Sequence, residues 1–321
     1  MNEFELIQHF FTRSACAQGG EHILLGIGDD CALLQMPAGH SCAVSTDTLV
    51  SGIHFPDNAP ACLLGQRALA VAVSDLAAMG ATPVGFTLAI TLPELDAAWL
   101  QAFSTGLSAM AQQCAIRLIG GDTTRGPLAM TLTVMGAVPD QQALLRSGAQ
   151  VGELLCVSGS VGAAAAAVPV VLNEIASDTL AEGTLQALLA AYWSPQPQLQ
   201  LGQYLRGKAH AALDISDGLL ADCGHIAKAS NVCVQIQQAQ IPVATAAYEL
   251  LGAEQALQCA LSGGDDYQLA FTLPSEQLAS LQQQFADVCA VGQVCAGAGV
   301  QLLDAAGRIV RQSYNGYQHF N

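Results

Sequence analysis

The chain has 321 residues, enough for two domains at roughly 100–200 residues each, and 52% of them are hydrophobic, ample for sizeable cores. Charged residues make up only 11%, and 26 acidic against 10 basic residues give a formal net charge of −16. That balance argues against nucleic acid, whose binding rests on Lys and Arg contacts to phosphate, and against an anionic membrane surface. Lys208 and Lys228 are the only lysines, and no Gly-rich loop ends in Gly-Lys-Ser/Thr, so a P-loop is excluded.

In chain order, the opening Met-Asn-Glu-Phe-Glu-Leu lacks a basic and an apolar region, so no signal peptide is expected. Strand-length apolar runs follow at 23–27, 42–45, 84–92, 117–119 and 128–138. Helical patterns lie between them at 63–79, closed by Gly80, and at 97–114. The polar, Gly-bearing stretch 146–153 reads as a linker, which sets the expected domains at 1–148 and 149–321.

Beyond it, 154–158 reads as a strand, and Gly159-Ser160-Val161-Gly162 opens an apolar segment at 163–172. That segment is too short to span a bilayer and is expected as a buried helix. Further helices are predicted at 185–192, 199–205, 218–229 and 275–285, and strands at 211–215, 232–236, 268–273, 290–294 and 300–303. Asp304-Ala305-Ala306-Gly307 reads as a hairpin turn before 308–311. Strands and helices mix in both halves, which points to two α/β or α+β domains. The eleven cysteines are odd in number and scattered without a Cys-x-x-Cys pair, the pattern of a reducing cytoplasm rather than of a disulfide framework or zinc site.

Acids recur beside Gly, Ser or Thr. The clusters are Gly26-Ile27-Gly28-Asp29-Asp30, Ser45-Thr46-Asp47-Thr48, Gly120-Gly121-Asp122-Thr123-Thr124, Asp214-Ile215-Ser216-Asp217-Gly218 and Ser262-Gly263-Gly264-Asp265-Asp266-Tyr267. With Asp75 and Asp222 they hold ten of the 26 acids, a concentration that favours metals over a general acidic surface. Hard cations such as Mg²⁺ take oxygen ligands and bridge carboxylates to phosphates.

Each feature also has a structural reading. Gly26–Asp30 is a solvated turn or a close backbone approach, and Ser45-Thr46-Asp47-Thr48, at the expected end of a strand, is an Asx or ST turn or a ligand set. Asp75 is either an outward residue of an apolar helix or a buried ligand. Ser216 or Asp217 caps a helix whose first turn Asp222 complements, which leaves Asp214 unexplained. His54 is a structural histidine or a ligand contact, and Arg146 a phosphate clamp or a linker ion pair. A cleft between the two domains is the simplest place for all clusters to meet.

Taken in order, these motifs resemble the thiamine-monophosphate kinase family, within the superfamily of aminoimidazole ribonucleotide synthetase. The resemblance runs from Phe4 to Phe320 and rests on Leu25-Gly-Ile-Gly-Asp-Asp-Cys-Ala32, Ser45-Thr-Asp-Thr-Leu-Val50 with His54-Phe55, and Ser74-Asp-Leu-Ala-Ala-Met-Gly-Ala81. It continues through Ile119-Gly-Gly-Asp-Thr-Thr-Arg-Gly126, Arg146-Ser-Gly-Ala149, Asp214-Ile-Ser-Asp-Gly218, Ser262-Gly-Gly-Asp-Asp-Tyr267 and Gly316-Tyr-Gln-His-Phe320. Asp265 stands where the family usually has Glu, and Gln318 where it usually has Asp.

The resemblance implies a two-domain fold, an N-terminal α/β domain that pairs with a second subunit and a C-terminal α+β domain, with ATP in the cleft. It implies several Mg²⁺ ions held by Asp30, Ser45, Thr46, Asp47, Asp75, Asp122, Asp214 and Asp217. Gly121, Asp122, Arg146 and Ser216 would contact ATP, and His54, Asp265 and Tyr317 would contact thiamine phosphate. The implied activity is ATP-dependent phosphorylation of thiamine monophosphate to thiamine diphosphate by direct in-line transfer, with no covalent nucleophile. A homodimer in the cytoplasm is expected, with no nucleic acid or membrane partner. Two rivals are a superfamily sibling phosphorylating another acceptor and a non-catalytic Ca²⁺-binding protein, whose ligands would be spaced closely in one loop.

Overall fold

Two sheets, of four and six strands, carry the fold of this computed structural model, which describes residues 3–310. The chain divides into two units. The first comprises Met1–Leu76 and Ala81–Gln141, and the second Ala77–Gly80 and Gln142–Asn321.

The first unit begins with α1 (Glu3–Leu6), which continues as a π-helical turn at Ile7–Thr12 that buries Phe10 and Phe11. A two-stranded ribbon, β1 (Ile23–Leu25) and β2 (Leu33–Leu34), brackets the first acidic loop. Then come β3 (His40–Val50), α2 (Ala61–Ala78), β4 (Thr82–Leu92), α3 (Ala97–Gln113), β5 (Arg117–Arg125) and β6 (Ala129–Pro139). The sheet order is β3-β6-β4-β5, so β3 and β5 are its outer strands. Only β4 and β5 run parallel, and α3 supplies the crossover that a parallel pair needs. The Asp96 carboxylate opens α3 by accepting from the N–H groups of Ala98 at 2.9 Å and Trp99 at 3.1 Å.

Period-two alternation splits this sheet into an apolar and a polar face. Phe86, Leu88 and Ile90 of β4 and Met130, Leu132 and Val134 of β6 are buried. Thr87, Thr131 and Thr133 alternate with them and are only partly buried. Helix α2 is apolar almost all round and buries Leu64, Ala68, Leu69, Ala72, Val73 and Leu76, as such a helix must. By length and composition it could cross a membrane, yet 72% of it is buried inside the protein.

The second unit contains β7 (Leu154–Val157), α4 (Ala163–Val171), α5 (Glu182–Trp193), α6 (Leu199–Leu205), β8 (Ala211–Asp214), α7 (Leu219–Ser230) and β9 (Cys233–Gln237). It continues with α8 (Thr245–Ser262), β10 (Leu269–Leu273), α9 (Leu278–Gln282), β11 (Cys289–Cys295) and β12 (Gly299–Leu303). The strand order is β12-β9-β11-β7-β10-β8, antiparallel throughout except for β12 beside β9. Both faces are covered. One core gathers Leu155, Val157, Ile226, Val234 and Val291, and the other Cys156, Leu201, Leu205, Ala212 and Phe271. That explains why Leu269-Ala270-Phe271-Thr272-Leu273 is buried at every position rather than alternating.

Three differences from the sequence reading have physical causes. Strands β3 and β5 run on through Val50 and Arg125, so Ser45-Thr46-Asp47 and Gly121-Asp122 lie within strands and not at their ends. Long cross-strand pairing to β6 and β4 outweighs the low strand propensity of Gly and Asp there. Helix α8 had no clear sequence signal because Gly252, at φ 76° and ψ 173°, splits it into two shorter pieces. The 146–153 linker lies inside the second unit, because Leu144 is buried with Leu201 and Leu205 and its N–H donates to the Met79 carbonyl at 3.1 Å.

Candidate active site

On β3, Ser45 and Asp47 are two residues apart and share the face toward α2. Asp75, on α2, accepts a short hydrogen bond from the Ser45 hydroxyl. Burial first, and then the charge of Asp75, push the Asp47 carboxyl up to about 6. Among the described residues, no cationic side chain draws it back down. Asp75 therefore sits on the strand-facing side of its helix, half-buried, and not on the outer surface. Two repelling, half-buried carboxylates with a hydroxyl beside them form a donor set that suits a hard cation.

Thr46 points the other way. Its hydroxyl bonds Thr133 Oγ1 at 2.9 Å, and Thr48 repeats the pattern with Thr131 at 2.8 Å. Asp122, on β5, is in register with Ala89, which pairs with Thr131 and through it with Thr48. Asp122 thus belongs to the threonine face, on the opposite outer strand from Asp47. A cavity of about 850 Å³ brings Asp122 together with Gly121 and Asp30, against the apolar side chains of Phe11, Leu118 and Met135. Gly121 has φ 150°, and a Cβ there would stand 1.9 Å from the Leu88 carbonyl oxygen, so the strand passes this point only as glycine. The first unit therefore holds two acidic sets, Ser45–Asp47–Asp75 and Asp30–Gly121–Asp122.

In the second unit the acids sit on two loops that are laced together. Asp214 ends β8 and is 7% exposed. Asp222, in the first turn of α7, accepts from the N–H groups of Ser216 at 3.0 Å and Asp217 at 2.9 Å. Burial raises Asp222 to about 6, the Asp217 charge adds to this, and the two N–H bonds and Arg146 pull it back. The Asp265 N–H donates to the Ser216 carbonyl at 2.9 Å, and the Tyr267 N–H to that of Ile215 at 2.8 Å. Gly264 makes the lacing possible: it has φ 71°, and a Cβ there would meet the Ser216 oxygen at 2.4 Å. Asp266 is buried and accepts from the Gly162 N–H, at the start of α4, at 2.7 Å. Burial raises its carboxyl well above the usual range, and the charges of Asp265 and Asp222 add to this.

His54 takes a structural hydrogen bond: its Nδ1 accepts from the Val50 N–H at 3.0 Å, which leaves the ring proton on Nε2. Arg146 is exposed, close enough to Asp222 to lower its carboxyl, and its carbonyl accepts from Ser230 Oγ at 3.3 Å. Tyr317 lies outside the described residues. Among the described residues, no three His, Cys, Asp or Glu side chains stand close enough together to hold a metal ion by themselves. Any ion here would complete its shell with hydroxyls, main-chain oxygens or substrate phosphates. Asp222 and Asp266 shape the site although they carry no role in the motif match. Their signal in the sequence is an acid inside an apolar helix turn and an acid followed by a buried strand.

Known proteins resemble this chain along most or all of its length. Residues 28–138 match the family described as AIR synthase related protein, N-terminal domain. The thiamine-monophosphate kinase of Escherichia coli K12 is 43% identical over 99% of this chain and 98% of its own length. The crystal structure of thiamine-monophosphate kinase from Stenotrophomonas maltophilia superposes with a TM-score of 0.83 at 45% identity, covering 88% of this chain and 91% of that one. A structure of AaThiL complexed with AMPPCP and TMP superposes with a TM-score of 0.79 at 28% identity, covering 89% of each chain. The sheets, the laced acidic loops and a relative this similar along the whole length lead to one conclusion: the chain belongs to the thiamine-monophosphate kinase family.

Proposed function

We propose that the protein transfers the γ-phosphoryl group of ATP to the phosphate of thiamine monophosphate, forming thiamine diphosphate and ADP. The observation that carries this reading is the full-length 43% identity to a thiamine-monophosphate kinase. In the reaction an oxygen of the acceptor phosphate forms a bond to the γ-phosphorus, while the bond from that phosphorus to the β–γ bridging oxygen breaks and the electron pair leaves with ADP. The acceptor is already an anion, so no strong general base is needed. Positioning and charge neutralisation carry the rate.

The chain's own residues divide that work. Asp47 and Asp75, with Ser45, are assigned to Mg²⁺, as are Asp30 and Asp122 in the first unit and Asp214 and Asp217 in the second. Thr46 can join this set only through its main chain, since its hydroxyl is engaged with Thr133 on the other face. Bound Mg²⁺ would neutralise phosphate charge in a chain that carries 10 basic residues against 26 acidic ones. Gly121, Asp122, Arg146 and Ser216 are assigned to ATP. Gly121 offers the nucleotide an approach to bare backbone, and the exposed Arg146 a guanidinium for phosphate. His54, Asp265 and Tyr317 are assigned to thiamine phosphate. The His54 Nε2–H is a donor suited to the phosphate, and the Asp265 carboxylate an acceptor suited to the cationic part of the molecule.

We place the protein in the cytoplasm as a homodimer. All eleven cysteines are free, which suits a reducing compartment. The polar face of the four-stranded sheet supports the dimer: Val44 is 61% exposed there, beside outward Thr46, Thr48 and Ala89. Two such faces can cover each other about a twofold axis. Strands β3 and β5 lie three spacings apart in one sheet, roughly 14 Å, too far for Asp47 and Asp122 to share an ion. A second copy that lays its β5 edge near β3 would bring the two acidic sets together.

Incubation with ATP, Mg²⁺ and thiamine monophosphate should yield thiamine diphosphate by mass. Free thiamine should be a poor acceptor, because its alcohol lacks the anionic nucleophile. Equal turnover of the two would overturn the reading.

A further inference from the structure

The loop 263–267 holds two non-glycine residues in the left-handed region, Asp265 at φ 62° and Tyr267 at φ 50°. Such backbone is rare away from glycine and gathers at functional sites. The residue between them fixes the arrangement. Asp266 turns inward to the Gly162 N–H, while the N–H groups of Asp265 and Tyr267 donate to the carbonyls of Ser216 and Ile215. With Asp266 tied to the interior, its two neighbours turn their side chains toward each other. The Tyr267 hydroxyl donates to Asp265 Oδ1 at 2.9 Å.

We propose that Tyr267 is a positioning residue for thiamine phosphate: its hydroxyl holds the Asp265 carboxylate in the orientation that receives the substrate. This rests on the assignment of Asp265 to the substrate. Asp has only two side-chain torsions, and Asp265 is half-buried, so one hydrogen bond to its carboxylate selects among few rotamers. With one oxygen held by Tyr267, the other oxygen faces a defined direction. A carboxylate accepts hydrogen bonds and attracts cations, so the part of the substrate it receives is a donor or the cationic ring and not the phosphate. The same lacing hangs Asp265 on the Ser216 carbonyl, so the substrate contact and the proposed ATP contact share one piece of backbone.

The test is a double-mutant cycle on the full chain with Tyr267→Phe and Asp265→Asn. Both changes suit the backbone, since Phe keeps the ring and Asn accepts the left-handed conformation readily. Tyr267→Phe should raise the KM for thiamine monophosphate about 3- to 10-fold, the net scale of one ordinary hydrogen bond, since the bond acts on the substrate only through Asp265. The KM for ATP and the melting temperature should stay close to those of the parent. Asp265→Asn should raise the same KM further, and adding Tyr267→Phe to it should change KM by less than about twofold, because no carboxylate remains to be held. If Tyr267→Phe leaves KM for thiamine monophosphate unchanged while Asp265→Asn raises it, the positioning role is overturned and the Asp265 assignment stands. If Asp265→Asn has no effect, the assignment fails and the proposal fails with it. Full additivity, or a Tyr267→Phe effect that raises both KM values and lowers the melting temperature, would make Tyr267 a structural residue.

Discussion

The two units hold their acids in different ways. In the first, Ser45, Asp47 and Asp75 stand on a strand and a helix, and among the described residues Asp47 has no hydrogen-bond donor. In the second, Asp222 and Asp266 receive backbone N–H groups from loops wrapped around them. Asp47 and Asp222 are both raised to about 6, and burial is the leading cause for each. The remaining causes differ: a second carboxylate worsens the position of Asp47, whereas two N–H bonds and Arg146 relieve Asp222. On the proposed reading a cation from outside would complete the first set, whereas Asp222 and Asp266 brace the loops around them. Similar titration can therefore hide opposite roles.

The largest test of this contrast is Asp75→Asn. Changes one shell out from a metal typically cost 10–100-fold, so loss of a direct carboxylate should cut turnover at limiting Mg²⁺ by at least about 100-fold. Steady-state rates across a Mg²⁺ titration would check it, and full turnover at limiting Mg²⁺ would return Asp75 to a packing role. Next in size is Asp222→Ala, which strands the N–H groups of Ser216 and Asp217. It should destabilise the protein by roughly 1–3 kcal/mol in urea unfolding, the cost of one unsatisfied group, since Ser216 is exposed and water can replace part of what is lost. A change below about 0.5 kcal/mol would mean that the brace does not exist.

A third test sets pH against the first set. The folded carboxyl of Asp47 lies near 6, above its ordinary value of 3.8. The folded state therefore binds this proton more tightly, and the ionised group costs stability above about pH 6. That cost is relieved as pH falls through 6 toward 4. In metal-free protein, Asp47→Asn should raise stability by roughly 1–3 kcal/mol at pH 8, at about 1.4 kcal/mol per pKa unit. The gain over the parent should shrink by pH 5. Melting curves in excess chelator would check this, and a gain that is the same at both pH values would falsify the repulsion argument. The smallest effect is expected for Thr46→Val. It removes one cross-strand hydroxyl pair, worth below about 1 kcal/mol, and should leave the Mg²⁺ dependence of turnover unchanged. A shifted Mg²⁺ dependence would return the Thr46 hydroxyl to the ligand set.

Much of this was legible before any fold was known. The excess of acids, the near absence of lysine and the order of the Gly-Asp motifs carry the family resemblance, because those properties are local to the chain. Element type was legible too wherever periodicity was strong, as in α6 at Leu199–Leu205 and β4 at Thr82–Leu92. Tertiary structure decided the rest. Whether Thr46 or Asp47 faces α2 depends on β3 continuing past Ser45, which pairing with β6 determines and local propensity does not. That β3 and β5 end up as opposite outer strands, with Asp47 and Asp122 on different faces, follows from strand order, a property no window of sequence contains. The Asp265–Tyr267 bond needs left-handed backbone that neither residue prefers, held by Gly162, Ile215 and Ser216 from distant parts of the chain. Composition and spacing are set along the chain, but the direction of a side chain is set by what packs and bonds across space.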